Sequence, residues 1–346
     1  GSFSLDSAYV PLSNYAKQLL WVDFDNDGDY DLFVTQSNNA KNKLYKNTGS
    51  LNFTEVSDSA DLKYHNRTRG VSFTDYNRDG YLDFYIANYD NEDNKKPHND
   101  TSSFNQLYKN NGDGTFSNVT TQVGVGDGNR PSFQGIWLDY NHDGWPDLYV
   151  INDLEPFSNS LYKNNGNGTF SEVTNKTKSG LKGHFPMSAT IGDIENDGDL
   201  DIFMSNSGNK QTHIDRKGLL LEKQSNHTYR EKAKKLGLAV DKWSWGGLWL
   251  DYNNDSYNDL YVATAEIAFY QYYENLFYEN QKGDTFLSKQ QLFNSDHTSR
   301  SFSAAKGDFN NDGIVDLIVF DQGIYTLLRH ESSGSYVFDS TGSVDT

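Results

Sequence analysis

The chain has no cysteine among its 346 residues, so no disulfide framework holds it together. Methionine (2) and proline (6) are scarce, and no apolar run nears the roughly 20 residues that span a bilayer. A membrane span is therefore not expected. Positive charge is also in deficit. Lys and Arg number 30 against 48 Asp and Glu, a formal net charge of −18, and this balance argues against nucleic acid as a partner. The chain lacks a GxSxG elbow, an HExxH zinc motif, a CxxC pair and a phosphate-binding loop, so it is expected not to be an enzyme. Helical periodicity is nearly missing too. Only residues 229–237 read as helix, for about two turns.

What the chain has in abundance is a nine-residue acidic pattern that runs into an apolar strand six times. The first copy offers Asp23, Asp25, Asp27 and Asp31 at positions 1, 3, 5 and 9, with the carbonyl of Asp29 at position 7. The second uses Asp75, Asn77, Asp79 and Asp83 with Tyr81, and the third Asp139, Asn141, Asp143 and Asp147 with Trp145. The fourth uses Asp193, Glu195, Asp197 and Asp201 with Asp199. The fifth uses Asp251, Asn253, Asp255 and Asp259 with Tyr257, and the sixth Asp308, Asn310, Asp312 and Asp316 with Ile314. A polar turn explains Asp, Asn and Gly in one such stretch. It does not explain Asp at positions 1, 5 and 9 in every copy. Oxygen donors at this spacing suit a hard cation. Ca2+ is the ion expected, about six in all, since Mg2+ rarely sits in all-protein cages. Position 6 is glycine except in the fifth copy, where Ser256 replaces it. That copy is expected to be the weakest site.

The loops are not EF-hands. An EF-hand closes on a glutamate at position 12, whereas here position 12 is Val34, Ile86, Val150, Met204, Val262 or Val319. Runs such as DLFVTQ and DLYVIND that follow read as strands. First aspartates are spaced by 52, 64, 54, 58 and 57 residues. Each unit also carries a hairpin such as NQLYKNNGDGTFSNVT, whose Asn-Gly or Asp-Gly step marks the turn. Four strands per unit in tandem predict an all-β propeller of four-stranded antiparallel blades, one domain over residues 1–346. Six blades are expected, and a seventh, cage-free blade would find little sequence to use. Trp21, Phe73, Trp137 and Trp249, two residues ahead of their cages, are expected to pack between blades. The tail around Tyr336 is expected to pair with Phe3–Leu5 and close the ring.

The DxDxDGxxD-strand repeat with LYxNxGxGTF resembles the FG-GAP/VCBS repeats over essentially the full length. Integrin α-subunit propellers carry such cages, and the pattern is similar to that of cartilage acidic protein and related bacterial propellers. The Phe-Gly and Gly-Ala-Pro pairs of integrin repeats are not evident here, nor is the further domain that often follows cartilage-acidic-protein-like propellers. The resemblance implies calcium held by the cage residues and a role in binding or adhesion.

Six bound calcium ions would bring the charge from −18 to about −6, so the acidity belongs largely to the cages. Weak modular calcium sites suit millimolar calcium, which predicts an extracellular, cell-surface or periplasmic location. The segments that enter each first strand are unusual for an acidic chain. They carry Arg69, Arg130, His184, Trp243, Trp245 and Arg300, which are expected to gather at the channel mouth opposite the cages and bind a glycan or an extracellular protein. Of the second-to-third-strand segments, 88–106 reads as a solvated loop and the aromatic 268–273 as a contact surface. A polysaccharide lyase or hydrolase with its site at that mouth, and a structural module of a larger surface protein, are the alternatives.

Overall fold

The computed structural model describes residues 10, 13–37, 40–50, 52–62, 67–89, 104–128, 130–153, 157–207, 217–238, 240–265, 273–292, 298–299, 301–321, 324–331 and 334–338. Six four-stranded antiparallel sheets make it an all-β six-bladed propeller. The strands of each blade follow one another as a meander, as the repeat predicts. The chain falls into two compact units, one with blades 1–3 and one with blades 4–6.

In the first unit, blade 1 is β1 (Ala16–Val22), β2 (Asp31–Gln36), β3 (Lys43–Asn47) and β4 (Phe53–Glu55). Blade 2 is β5 (Thr68–Thr74), β6 (Asp83–Asn88), β7 (Gln106–Asn110) and β8 (Phe116–Asn118). Blade 3 is β9 (Ser132–Leu138), β10 (Asp147–Asn152), β11 (Ser160–Asn164) and β12 (Phe170–Glu172).

In the second unit, blade 4 is β13 (Pro186–Gly192), β14 (Asp201–Asn206), β15 (Leu219–Lys223) and β16 (Tyr229–Glu231). Blade 5 is β17 (Ser244–Leu250), β18 (Asp259–Thr264), β20 (Leu276–Asn280) and β21 (Phe286–Ser288). A two-residue pair, β19 (Tyr273–Glu274) with β22 (Thr298–Ser299), lies beside it. Blade 6 is β23 (Ser301–Gly307), β24 (Asp316–Asp321), β25 (Ile324–His330) and β26 (Tyr336–Phe338).

The core lies between neighbouring blades. The second strands read apolar on both faces because each blade is covered on both sides, and β2, β6, β10, β14 and β18 are buried throughout. Bare glycines on the first strands admit aromatics from the preceding blade. A Cβ on Gly135 would sit 2.5 Å from the Tyr85 ring, and one on Gly247 2.6 Å from the Phe203 ring. Three of the four pre-cage aromatics pack as expected. Phe73 meets Phe33, Trp137 meets Tyr85 and Trp249 meets Phe203, each partner lying in the preceding blade. Trp21 differs. It is 59% exposed and meets Phe53 of its own blade.

The helix expected at 229–237 does not form. Tyr229–Glu231 is the outer strand β16, paired with β15, and residues 233–237 make a turn. Sheet pairing at Tyr229 outweighs the weak local preference of the lysine-rich run that follows. Among the described residues the α-helices are two single turns, α1 (Thr120–Val123) and α2 (Thr174–Thr177), each just after a fourth strand, and Gln290–Leu292 forms a 3-10 turn. The tail forms β26, paired with β25, and its expected partner Phe3–Leu5 lies outside the described residues.

Candidate metal cages

Each acidic loop joins the first and second strands of its blade, and its backbone is shaped by its own side chains. Two residues per loop take left-handed backbone, at positions 4 and 6. In the first loop these are Asn26 (φ 59°) and Gly28 (φ 90°). The position-1 carboxylate accepts the N–H groups of positions 5 and 6, as Asp75 does from Asp79 (3.0 Å) and Gly80 (2.8 Å). The position-5 carboxylate accepts the N–H of position 7, as Asp79 does from Tyr81 (3.2 Å). Ser256 keeps this geometry, donating its N–H to Asp251 at 2.8 Å, but does so at φ 71°, where a side chain is strained.

Position 9 closes the loop from below. Asp83 Oδ2 accepts the Tyr76 N–H (3.2 Å) and Oδ1 the Asn110 N–H of β7 (2.8 Å). The same pair of bonds recurs at Asp31, Asp147, Asp201, Asp259 and Asp316. All six of these carboxyls are buried. Burial pushes Asp31 up to about 6 and Asp83, Asp147 and Asp259 up to about 7, against the pull of the two N–H donors.

Positions 1, 3 and 5 turn carboxylate oxygens toward one point in the first and fourth loops. Oxygens of Asp23, Asp25 and Asp27 lie within 4.8 Å of one another, as do those of Asp193, Glu195 and Asp197. Asp25 Oδ1 is buried and accepts no hydrogen bond. A hard cation fits such a donor set, because it would satisfy that oxygen and cancel the mutual repulsion of the acids. In the other four loops position 3 is Asn, which donates to position 5, as Asn77 Nδ2 does to Asp79 Oδ2 at 3.0 Å.

The loops share a face with the third-to-fourth-strand hairpins, as the strand order requires. The Tyr81 and Trp145 rings rest on hairpin Gly112 and Gly166, where a Cβ would come within 2.8 Å of each. Neighbouring loops within a unit are also joined. The position-4 side chain donates to the position-6 carbonyl of the next loop: Asn26 to Gly80 (2.9 Å), Arg78 to Gly144, and Asn196 to Ser256 (2.9 Å). Arg78 also lies 4.5 Å over the Trp145 ring. From the last residue of the third strand, Asn110 reaches back to the Phe24 carbonyl (2.7 Å) and Asn164 to that of Tyr76 (2.9 Å). In the other unit Asn280 reaches the Ile194 carbonyl (2.9 Å). These asparagines and the position-4 side chains are absent from the sequence-based site. The recurring LYKN string was the available signal, but it reads first as hairpin.

The six ligand candidates are placed less uniformly. In the first unit, the Arg69 guanidinium lies 5.1 Å over the Tyr89 ring and 6.0 Å over that of Phe133. Arg130 is engaged inside blade 3, donating to the buried Asp127 (2.9 Å) and to Ser160 (2.6 Å). In the second unit, His184 stands half-buried just ahead of β13. Trp243 and Trp245 come together, stacked at 6.3 Å and 17°, with Phe302 edge-on to Trp245 at 5.5 Å. Arg300 lies outside the described residues, as do 90–103 of the 88–106 segment and 268–272 of the 268–273 segment.

The FG-GAP-like repeat family matches residues 23–86, 75–150, 139–204 and 251–319, spans that hold all six loops and well over half of the chain. The chain belongs to the FG-GAP-like repeat family. Its fold is shared with solved structures of low sequence identity. A lectin from Agrocybe aegerita, described as recognising non-reducing terminal N-acetylglucosamine, is 14% identical with a TM-score of 0.54, over 94% of this chain and 79% of that one. BBS1N, solved in complex with ARL6DN, is 11% identical with a TM-score of 0.55, over 97% and 85%. A Lactobacillus plantarum protein is 12% identical with a TM-score of 0.54, over 92% and 82%. No curated protein matches the chain. Among the described residues no helix is long and apolar enough to cross a membrane.

Proposed function

We propose that this FG-GAP repeat propeller is an extracellular calcium-binding module that holds a glycan or protein ligand, acting as a binder and not as an enzyme. The calcium reading is carried by the three carboxylates gathered at Asp23, Asp25 and Asp27, with the buried Asp25 Oδ1 left without a donor. Bound calcium would supply fixed positive charge there. The chain's own residues do the positioning, through left-handed backbone at positions 4 and 6 and the N–H bonds that aim each carboxylate. Four of the six cages have a neutral Asn at position 3, which suits the millimolar calcium found outside cells.

The ligand reading rests on the Trp243–Trp245 stack. It lies at the start of β17, about 20 Å along the strand from the fifth cage. Flat aromatic faces suit sugar rings, and Trp is a common anchor in protein interfaces. Structures of this fold include one that recognises a sugar and one in complex with a protein, the two ligand classes considered. The test is a glycan array probed with the chain in calcium and in chelator, repeated with Trp245→Ala. Glycan binding that Trp245→Ala weakens while calcium affinity is unchanged supports the reading. Glycan binding indifferent to Trp245 would remove the patch from it, and an array without hits would leave protein as the ligand class.

A further inference from the structure

The penultimate residue of the third strand is lysine in all three blades of the first unit. Each of these lysines leans over the loop of its own blade. Lys46 bonds to Asp25 and lies 3.2 Å from Asp27 Oδ2. Lys109 Nζ lies 3.1 Å from Asp79 Oδ2, and Lys163 Nζ 2.8 Å from Asp143 Oδ2. The contacts fall on the position-5 carboxylate in all three loops. Its Oδ1 is already committed to the N–H of position 7, at 3.0 Å in the first and third loops and 3.2 Å in the second. The ammonium therefore holds the oxygen that position 5 has left to offer a metal.

We propose that Lys46, Lys109 and Lys163 are built-in counter-ions of these cages, and that calcium binds by displacing them. The inference rests on the calcium reading. The five carboxylates of the first loop, and the three in each of the second and third, repel one another, and a tethered ammonium offsets part of that repulsion when no metal is bound. The exchange is easy because the three lysine side chains are about a third exposed, at 34%, 38% and 33%, so a displaced ammonium swings into water. A lysine in this place thus stabilises the metal-free chain and weakens calcium binding together.

Blade 5 supplies the contrast inside the same molecule. Its equivalent residue is Glu279, which accepts from the Tyr252 hydroxyl and pairs with Lys289 at 3.0 Å. Cage 5 has no ammonium from that strand position to displace. Blade 4 also has an acid in the slot, Glu222, held by Lys232 at 2.7 Å.

The experiment compares the full chain with Lys46→Met/Lys109→Met/Lys163→Met by calcium titration calorimetry and by melting in chelator and in saturating calcium. Calcium affinity at the three sites should rise, by up to about fivefold each for ion pairs at this exposure. The variant should melt below the parent in chelator, with the gap closing or reversing in calcium. Equal losses in both media with unchanged affinity would make the lysines merely structural and overturn the proposal. If the triple variant does not fold, the single Lys163→Met and the reciprocal Glu279→Lys decide it. The first should tighten one site and the second loosen one, and no change in either overturns the proposal. A parent chain that binds no calcium overturns both this proposal and the reading beneath it.

Discussion

Asp83 shows at the scale of one residue how the cages couple to protons. Its carboxyl is buried beneath the loop, accepts two backbone N–H bonds and is pushed up to about 7, with desolvation the leading cause. Asp147 and Asp259 share this position and this shift. A carboxyl raised in the folded state keeps its proton below about 7 and loses it above. Calcium needs the carboxylate, so binding near neutral pH must expel protons, and affinity must fall as pH drops through 7. The expected outcome is a binding heat at pH 6.5 that depends on the ionisation enthalpy of the buffer, with the dependence fading by pH 8.5. Buffer-independent heats at both pH values would show that these carboxyls do not hold protons. Ser256 is the other residue with its own cost. Its left-handed backbone, at φ 71°, is disfavoured by on the order of 1 kcal/mol for a residue with a side chain. Glu279 in place of a lysine acts in the opposite direction, so the strain alone does not rank the fifth cage.

The third strand is the element that ties a blade to the blade before it. Asn110 Nδ2 bonds to the Phe24 carbonyl of blade 1 and the Leu82 carbonyl of its own loop, while its Oδ1 accepts the Gly112 N–H. One buried amide therefore serves three backbone groups in three segments. Replacing it strands two carbonyls in the core, and Asn110→Ala should cost about 1–3 kcal/mol. Denaturant unfolding in saturating calcium measures this, and a loss below about 0.5 kcal/mol would contradict the latch. The strand pattern was legible in the sequence because alternation, turn glycines and the aspartate spacing all point to a four-stranded meander. The latch was not. Asn110 precedes a turn glycine, where Asn has a local explanation, and its inter-blade partner Phe24 lies 86 residues away. The 229–237 run was misread for a related reason. A lysine-rich stretch has helical preference, but Tyr229 pairs in the sheet with Lys223 and ends that option.

At the scale of the molecule, repetition turns a weak motif into a structure. Each loop alone is a turn of like charges. Six of them, five joined to a neighbour within their unit by position-4 donors, hold a large share of the chain's formal charge of −18. Packing between blades supplies the apolar stabilisation, with aromatics closing onto bare glycines, and on the proposed calcium binding the cages would add a term that depends on metal. Ions that bind the folded state alone stabilise it by mass action, by about 2.7 kcal/mol for each site at a hundredfold excess over its dissociation constant. Several such sites in one chain make the calcium dependence of stability large. The most direct measurement is therefore thermal melting of the chain in chelator and in millimolar calcium, with metal content determined on the same samples. The expected result is close to six calcium ions per chain and a melting temperature in chelator lower by about ten degrees or more, roughly what three such sites would give in a chain of this length. A melting temperature unchanged after confirmed loss of metal would contradict it.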